Sequence, residues 1–198
     1  MEKDLYSNGV AAAPTGADGA VGVESTRRWY VAMVGPRHEK AVAERLTAAG
    51  HESYVASQEE VHLWRNGRRR KVERVVIPSV VFVRCTERER REVVALPYIL
   101  RFMTNRSAAT GSLSAPPAVI GEREMERLRF MLGQSDYPVD FTPTAYRTSD
   151  AVRVVRGALR GLEGYVATDA EGTATVAVIL PLLGATTVRL SPLDLEPA

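Results

Sequence analysis

Two stretches of this chain run apolar without alternation. One is Trp29-Tyr30-Val31-Ala32-Met33-Val34; the other is Val75–Val83, interrupted only by Pro78 and Ser79. Successive side chains of a strand point to opposite faces, so a sheet with one wet face alternates apolar and polar residues. A strand that does not alternate needs cover on both faces. The chain is therefore expected to build a sheet with material packed on each side. Three segments have the spacing to supply it. In residues 36–49, Val42, Leu46 and Ala49 share a helical face. Residues 86–96 open with a Thr86…Glu89 capping box. In residues 121–132, Met125, Leu128 and Leu132 point inward. At this level two outcomes stay open: the helices cover everything, or part of the sheet remains as a partner-binding patch.

Between the apolar runs lies the charge. Glu60–Arg65 and Arg68–Val75 read as a hairpin around Asn66-Gly67, a pair that tolerates the positive φ of a tight turn. The chain's net charge is only +2, yet residues 29–138 hold 18 basic and 13 acidic groups while both flanks are net negative. Arg65, Arg68, Arg69, Arg70, Lys71 and Arg74, set against Glu73, account for that local excess. Charged edges discourage strand-to-strand aggregation, which is one reading. The other is a polyanion partner that offsets the mutual repulsion, phosphate backbones being the commonest. Aromatics interleaved for base stacking are missing, Trp64 being the one nearby ring.

The 198 residues suit one medium domain or two small ones. Residues 1–26, rich in Gly and Ala, read as a disordered tail. Residues 27–132 form an α+β domain, 133–149 a Gly/Ser/Pro-containing linker, and 150–198 a small β-barrel whose strands fall at 152–155, 164–168, 173–180 and 186–190. His38, His51 and His62 lack metal-ligand spacing, and Cys85 is the lone cysteine. Phosphate-cradling glycine loops and nucleophile elbows are absent from the pattern. The expectation is a binding protein with no catalytic residue, metal or cofactor. It is also expected to be cytoplasmic, since neither a signal peptide nor a membrane-spanning run is legible.

Taken in order, the segments RRWYVAMV, HEKAVAERL and YVASQEEVHLWRNGRRRKVERVVIPSVVFVR resemble the N-terminal domain of NusG-type transcription elongation factors. ALPYILRFM and PPAVIGEREMERLRFML continue the likeness. DAVRVVRGALRGLEGYVA…ILPLLGATTVRL is similar to a KOW domain, with Gly157, Gly161 and Gly164 at its glycine positions. The resemblance covers roughly residues 28–196. It implies a ferredoxin-like NGN domain, an antiparallel sheet with helices, joined flexibly to an SH3-like KOW barrel, in a monomer.

The first domain would dock on the clamp helices of RNA polymerase beside the upstream fork and suppress pausing. Met33, Ile77, Val80, Phe82 and Phe102 match its clamp-binding pocket. Arg37, Lys40 and Arg45 match a surface that meets the non-template strand, so that with the basic hairpin they would lie near DNA or nascent RNA. Arg88, Arg90 and Arg91 match a second polymerase contact. Leu182, Leu183, Gly184 and Thr186 match the loop that in NusG binds a ribosomal protein or Rho. Pro78-Ser79-Val80 stands where the family has Pro-Gly-Tyr, and the barrel loop lacks the family's Phe and Arg. The short length, the Ile-Pro-x-Val-Val-Phe-Val form of residues 77–83 and the tail look like operon-specific antiterminators of the UpxY type, which act at surface-polysaccharide operons. A ribosome- or RNA-associated KOW protein is the alternative.

Overall fold

A computed structural model describes residues 26–63, 67–108, 115–143, 150–168, 174–180 and 183–198. The sequence readings for residues 1–25, Trp64, Arg65, Asn66 and Leu182, and for 144–149 of the linker, lie outside these. The elements are β1 (Arg28–Met33), α1 (Glu39–Ala48), β2 (Glu52–Tyr54), β3 (Ser57–Leu63), β4 (Arg69–Val75), β5 (Val80–Cys85), α2 (Glu87–Val93), β6 (Arg101–Phe102), β7 (Val119–Ile120), α3 (Glu122–Gln134), β8 (Val139–Thr142), β9 (Ala151–Val154), β10 (Glu163–Thr168), β11 (Ala174–Leu180), β12 (Gly184–Arg189) and β13 (Leu195–Pro197).

The first sheet has the antiparallel order β2-β5-β1-β6, with β7 also pairing β1. That order, with α1 after β1 and α2 after β5, is the ferredoxin-like arrangement. The two apolar runs become its central strands, paired from Arg28↔Cys85 to Met33↔Val80. Both faces are covered, as unalternating strands require. Tyr30, Ala32, Val81 and Val83 pack under α1 and α2, against Val42, Leu46 and Val93. On the other face Trp29, Val31 and Phe82 pack under α3, against Met125, Leu128 and Met131. The helix α2 starts with the expected capping box: Glu89 N–H donates to the Thr86 hydroxyl, and the Glu89 carboxylate accepts from Thr86 N–H.

The second sheet, β13-β9-β10-β11-β12-β8, is the barrel. Its apolar residues, among them Val152, Leu162, Val176 and Leu180, belong to the same buried cluster as Trp29 and Phe82. The two domains thus share one apolar interior. The segment read as a linker runs between them. Residues 139–142 of it form β8, paired with β12 from Val139↔Val188 to Thr142↔Ala185. Within the expected linker, residues 139–142 thus add an edge strand to the barrel, because their backbone groups find ladder partners there.

Helix ends shift by a few residues from the expected ones: α1 starts at Glu39 and α2 ends at Val93. The β3–β4 ribbon pairs from Ser57↔Val75 to Leu63↔Arg69, a register centred on position 66 rather than between Asn66 and Gly67.

Candidate functional site

The β4–β5 connection, Val76 to Ser79, sits at the end of the first sheet where β1 also stops. Ser79 has φ 59°, in the left-handed region where a side chain crowds its own backbone. It is held there from both sides: Val34 N–H donates to Ser79 O at 3.0 Å, and Ser79 N–H donates to the Glu39 carboxylate at 2.7 Å. Glycine adopts this φ freely, so Ser79→Gly is expected to raise unfolding stability by about 0.5–1 kcal/mol, read by urea denaturation.

That connection forms one wall of an apolar cleft of about 600 Å³. Met33, Ile77, Pro78, Val80 and Met103 line the near side; Phe141, Pro143 and Leu183 of the barrel sheet and its approaches line the far side, and the charged Arg74 and Asp140 also contribute to the lining. Three of the five expected pocket residues, Met33, Ile77 and Val80, therefore come together. The other two do not line it. Phe82 lies beneath the floor, 0% exposed, with its ring 6.3 Å from that of Tyr54. Phe102 pairs with Ala32 and so faces the opposite side of the sheet, edge-on to Tyr30 at 6.2 Å. Its neighbour Met103 takes the cleft position, a parity that only the β1–β6 register decides.

The far wall contains the expected partner loop of the barrel. Leu183 turns into the cleft and is buried. Gly184 has φ 143°, and a Cβ there would collide with Thr142 O at the end of β8 and with Pro143 just beyond it. Thr186 is inside the barrel, its hydroxyl donating to Val178 O at 3.4 Å. The two surfaces expected to meet different partners thus face each other across one cleft.

The basic ribbon is more balanced than its own strand suggests. Glu59 and Glu60 on β3 stand across from β4, where Lys71 pairs with Glu59 at 3.0 Å and Arg74 with Glu60. Glu73 pairs with Lys40 of α1 at 2.7 Å, and that ammonium together with the Ser57 hydroxyl holds its carboxyl below the usual range. The sequence count of one acid against six cations missed these cross-strand partners, which follow from register alone. Arg68, Arg69 and Arg70 remain exposed. Lys40 links the helix cations to the ribbon base; Arg37 is exposed beside it, and Arg45 lies over the Tyr98 ring at 5.4 Å.

On α2 the three arginines differ. Arg90 makes two 2.7 Å hydrogen bonds to Glu87 and stacks over Phe102 at 5.4 Å, so it belongs to the packing. Its hydrogen bonds hold the Glu87 carboxyl low. Arg88 and Arg91 point to solvent, near Glu92 and Glu87.

A residue no periodicity singled out ties the parts together. Gln58, 5% exposed on β3, donates to Ser135 O at 3.2 Å and Tyr137 O at 2.9 Å, and accepts from Val139 N–H at 2.9 Å. Its directly opposed ribbon partner Arg74 donates to Val139 O at 2.8 Å. The ribbon thus clamps the connection from α3 into the barrel. Arg129 also escaped notice; it stacks over Trp29 at 4.5 Å and Tyr54 at 4.9 Å, and burial pushes the Tyr54 hydroxyl up to about 12. Cys85 is buried with its thiol likewise pushed up to about 12 by burial, which makes it inert. Among the described residues no group of His, Cys, Asp or Glu could hold a metal ion, and no helix is long and apolar enough to cross a membrane.

A ferredoxin-like α+β fold and a β-barrel that face each other across a cleft, with a basic ribbon at its flank, define the architectural class of this chain. Residues 27–129 match the family described as "Transcription termination factor nusG", and the chain belongs to the NusG family of transcription factors. It is 29% identical over 181 residues to the transcription termination/antitermination protein NusG of Pseudomonas aeruginosa, across 86% of this chain and 95% of that one. Among solved structures, one titled "Domain interaction in Thermotoga maritima NusG" matches 87% of this chain and 97% of its own at 18% identity and a TM-score of 0.43. A MjSpt4:Spt5 complex chain matches 86% of this chain and 96% of its own at 13% identity and a TM-score of 0.25.

Proposed function

We propose that this transcription factor docks on the clamp helices of RNA polymerase through the cleft formed by Met33, Ile77, Pro78 and Val80, and suppresses pausing and termination during elongation. The observation that carries the reading is the cleft itself: apolar side chains converge at the end of an otherwise fully covered sheet. The basic ribbon would then lie beside the nucleic acid of the bubble, with Arg68, Arg69 and Arg70 outward. Ser79-Val80 in the docking turn and the aromatic-free barrel loop support a role at particular operons, of the surface-polysaccharide kind, rather than at all genes. With Leu183 turned inward, a ribosomal partner of the barrel loop would meet it only after the domains part.

The barrel wall bears on docking. Phe141 and Leu183 of the barrel side form the cleft's far wall, opposite Met33, Ile77 and Val80. Full docking of a helix on that near side would then involve withdrawal of the barrel.

The test is binding of the full chain to core RNA polymerase, wild type against Met33→Glu. Met33 is half-buried at the cleft, so a charge there spoils an apolar contact without loading the interior. Affinity is expected to fall at least about tenfold, as for a central interface contact. Unchanged affinity in a folded variant would sink the assignment of the cleft. Tight RNA binding without polymerase, with a log–log salt slope near about −4 to −5 for six phosphate contacts, would point instead to an RNA-associated protein.

A further inference from the structure

We infer that Glu39 is the residue that positions the polymerase-docking turn; this rests on the docking reading above and names a determinant of it outside the cleft. Glu39 is the first residue of α1 and lies 4% exposed, with none of its role visible in the cleft lining. A carboxylate so buried is costly unless its oxygens are satisfied. One oxygen accepts Ser79 N–H at 2.7 Å, a short bond to a charged acceptor and so one of the stronger kinds. Its position in the first turn of a ten-residue helix favours the negative charge further.

What that bond holds is unusual. Ser79 sits at φ 59°, a conformation a serine leaves readily when nothing retains it. Ile77 and Pro78 precede it and Val80 follows, and all three line the cleft. The backbone on the far side of Ser79 is tied to β1 through Val34 N–H. The next helical residue, Lys40, grips Glu73 in β4, so α1 holds both β4 and the connection that follows it. Removing the Glu39 acceptor would leave the turn tied on one side only. Ile77, Pro78 and Val80 would then sample several arrangements, and a docking helix would have to select one.

The experiment combines amide hydrogen exchange over residues 77–80 with polymerase affinity, for full-length Glu39→Ala, Glu39→Gln and the cleft variant Met33→Glu. Glu39→Gln keeps an acceptor oxygen for Ser79. Loss of a hydrogen bond to a charged acceptor is expected to speed turn exchange and weaken polymerase affinity by about tenfold or more in Glu39→Ala, with Glu39→Gln much closer to wild type. Exchange in β11 should stay unchanged in all three, which shows that the fold is intact. Unaltered turn exchange in Glu39→Ala would overturn the inference outright. Faster exchange with undiminished polymerase affinity, while Met33→Glu fails to bind, would overturn the link between turn and docking and leave the cleft assignment standing. Equal binding by wild type and Met33→Glu would remove the docking reading, and the docking role of Glu39 with it. A loss equal in Glu39→Ala and Glu39→Gln would show that charge rather than the hydrogen bond matters, and would also overturn it.

Discussion

Phe82→Ala is expected to lower the unfolding free energy by about 3–5 kcal/mol, the range for emptying a large aromatic site in a packed interior. Phe82 is fully buried on β5, packed toward α3 and beside Tyr54. The surrounding elements are pinned by a five-stranded sheet on one side and the barrel on the other, so the cavity has little room to collapse. A urea titration by circular dichroism reads the effect as a fall in midpoint. A loss below about 1 kcal/mol would mean that the residue is more exposed, or its site more adaptable, than the packing indicates. The prediction also separates stability from docking. Phe82 matches the clamp-binding pattern in sequence, yet a charge placed there would act on the fold before it acted on a partner.

The second large effect concerns the clamp around residues 135–139. Gln58→Ala removes three hydrogen bonds at once and leaves the buried amide of Val139 without its acceptor. Each stranded buried group costs about 1–3 kcal/mol. The amide of Val139 is expected to exchange faster by a corresponding factor, measured by hydrogen exchange. If that loss falls on domain closure, the open population rises by about 5- to 150-fold, and polymerase affinity rises with it up to the point where the open form dominates. Faster exchange at Val139 with no gain in affinity would show that the barrel wall does not limit docking. A partner in direct contact cannot explain a gain from this substitution, because Gln58 is buried between the ribbon and the linker backbone.

Much of the architecture is legible in the residues. Trp29–Val34 and Val80–Val83 demand a sheet covered on both sides, and the spacing of Val42, Leu46, Met125 and Leu128 identifies the elements that cover it. Thr86 and Glu89 mark a helix start because the bonds they form are local, within one turn. The short glycine-punctuated strands after Asp150 signal a barrel for the same local reason.

The site is less legible. Whether Phe102 or Met103 enters the cleft turns on a one-residue parity, set by pairing with β1 some seventy residues away. Glu59 and Glu60 neutralise Lys71 and Arg74 only once β3 lies against β4 in its observed register. Gln58 and Glu39 carry no periodic signal, since each is a single polar residue whose partners are backbone groups far along the chain. Backbone acceptors and donors look alike at every position, so no pattern of residue types announces them.

What the chain's residues determine alone is therefore the set of elements, their buried faces and the basic character of one ribbon, because these follow from periodicity, capping and local charge. Only the tertiary structure decides that β8 joins the barrel, that Leu183 of the barrel loop shares a cleft with the β4–β5 turn, and that a buried carboxylate and a buried amide hold those parts in place. Those outcomes depend on long-range pairing and on desolvated hydrogen bonds, whose strength exists only after water has been excluded from both partners.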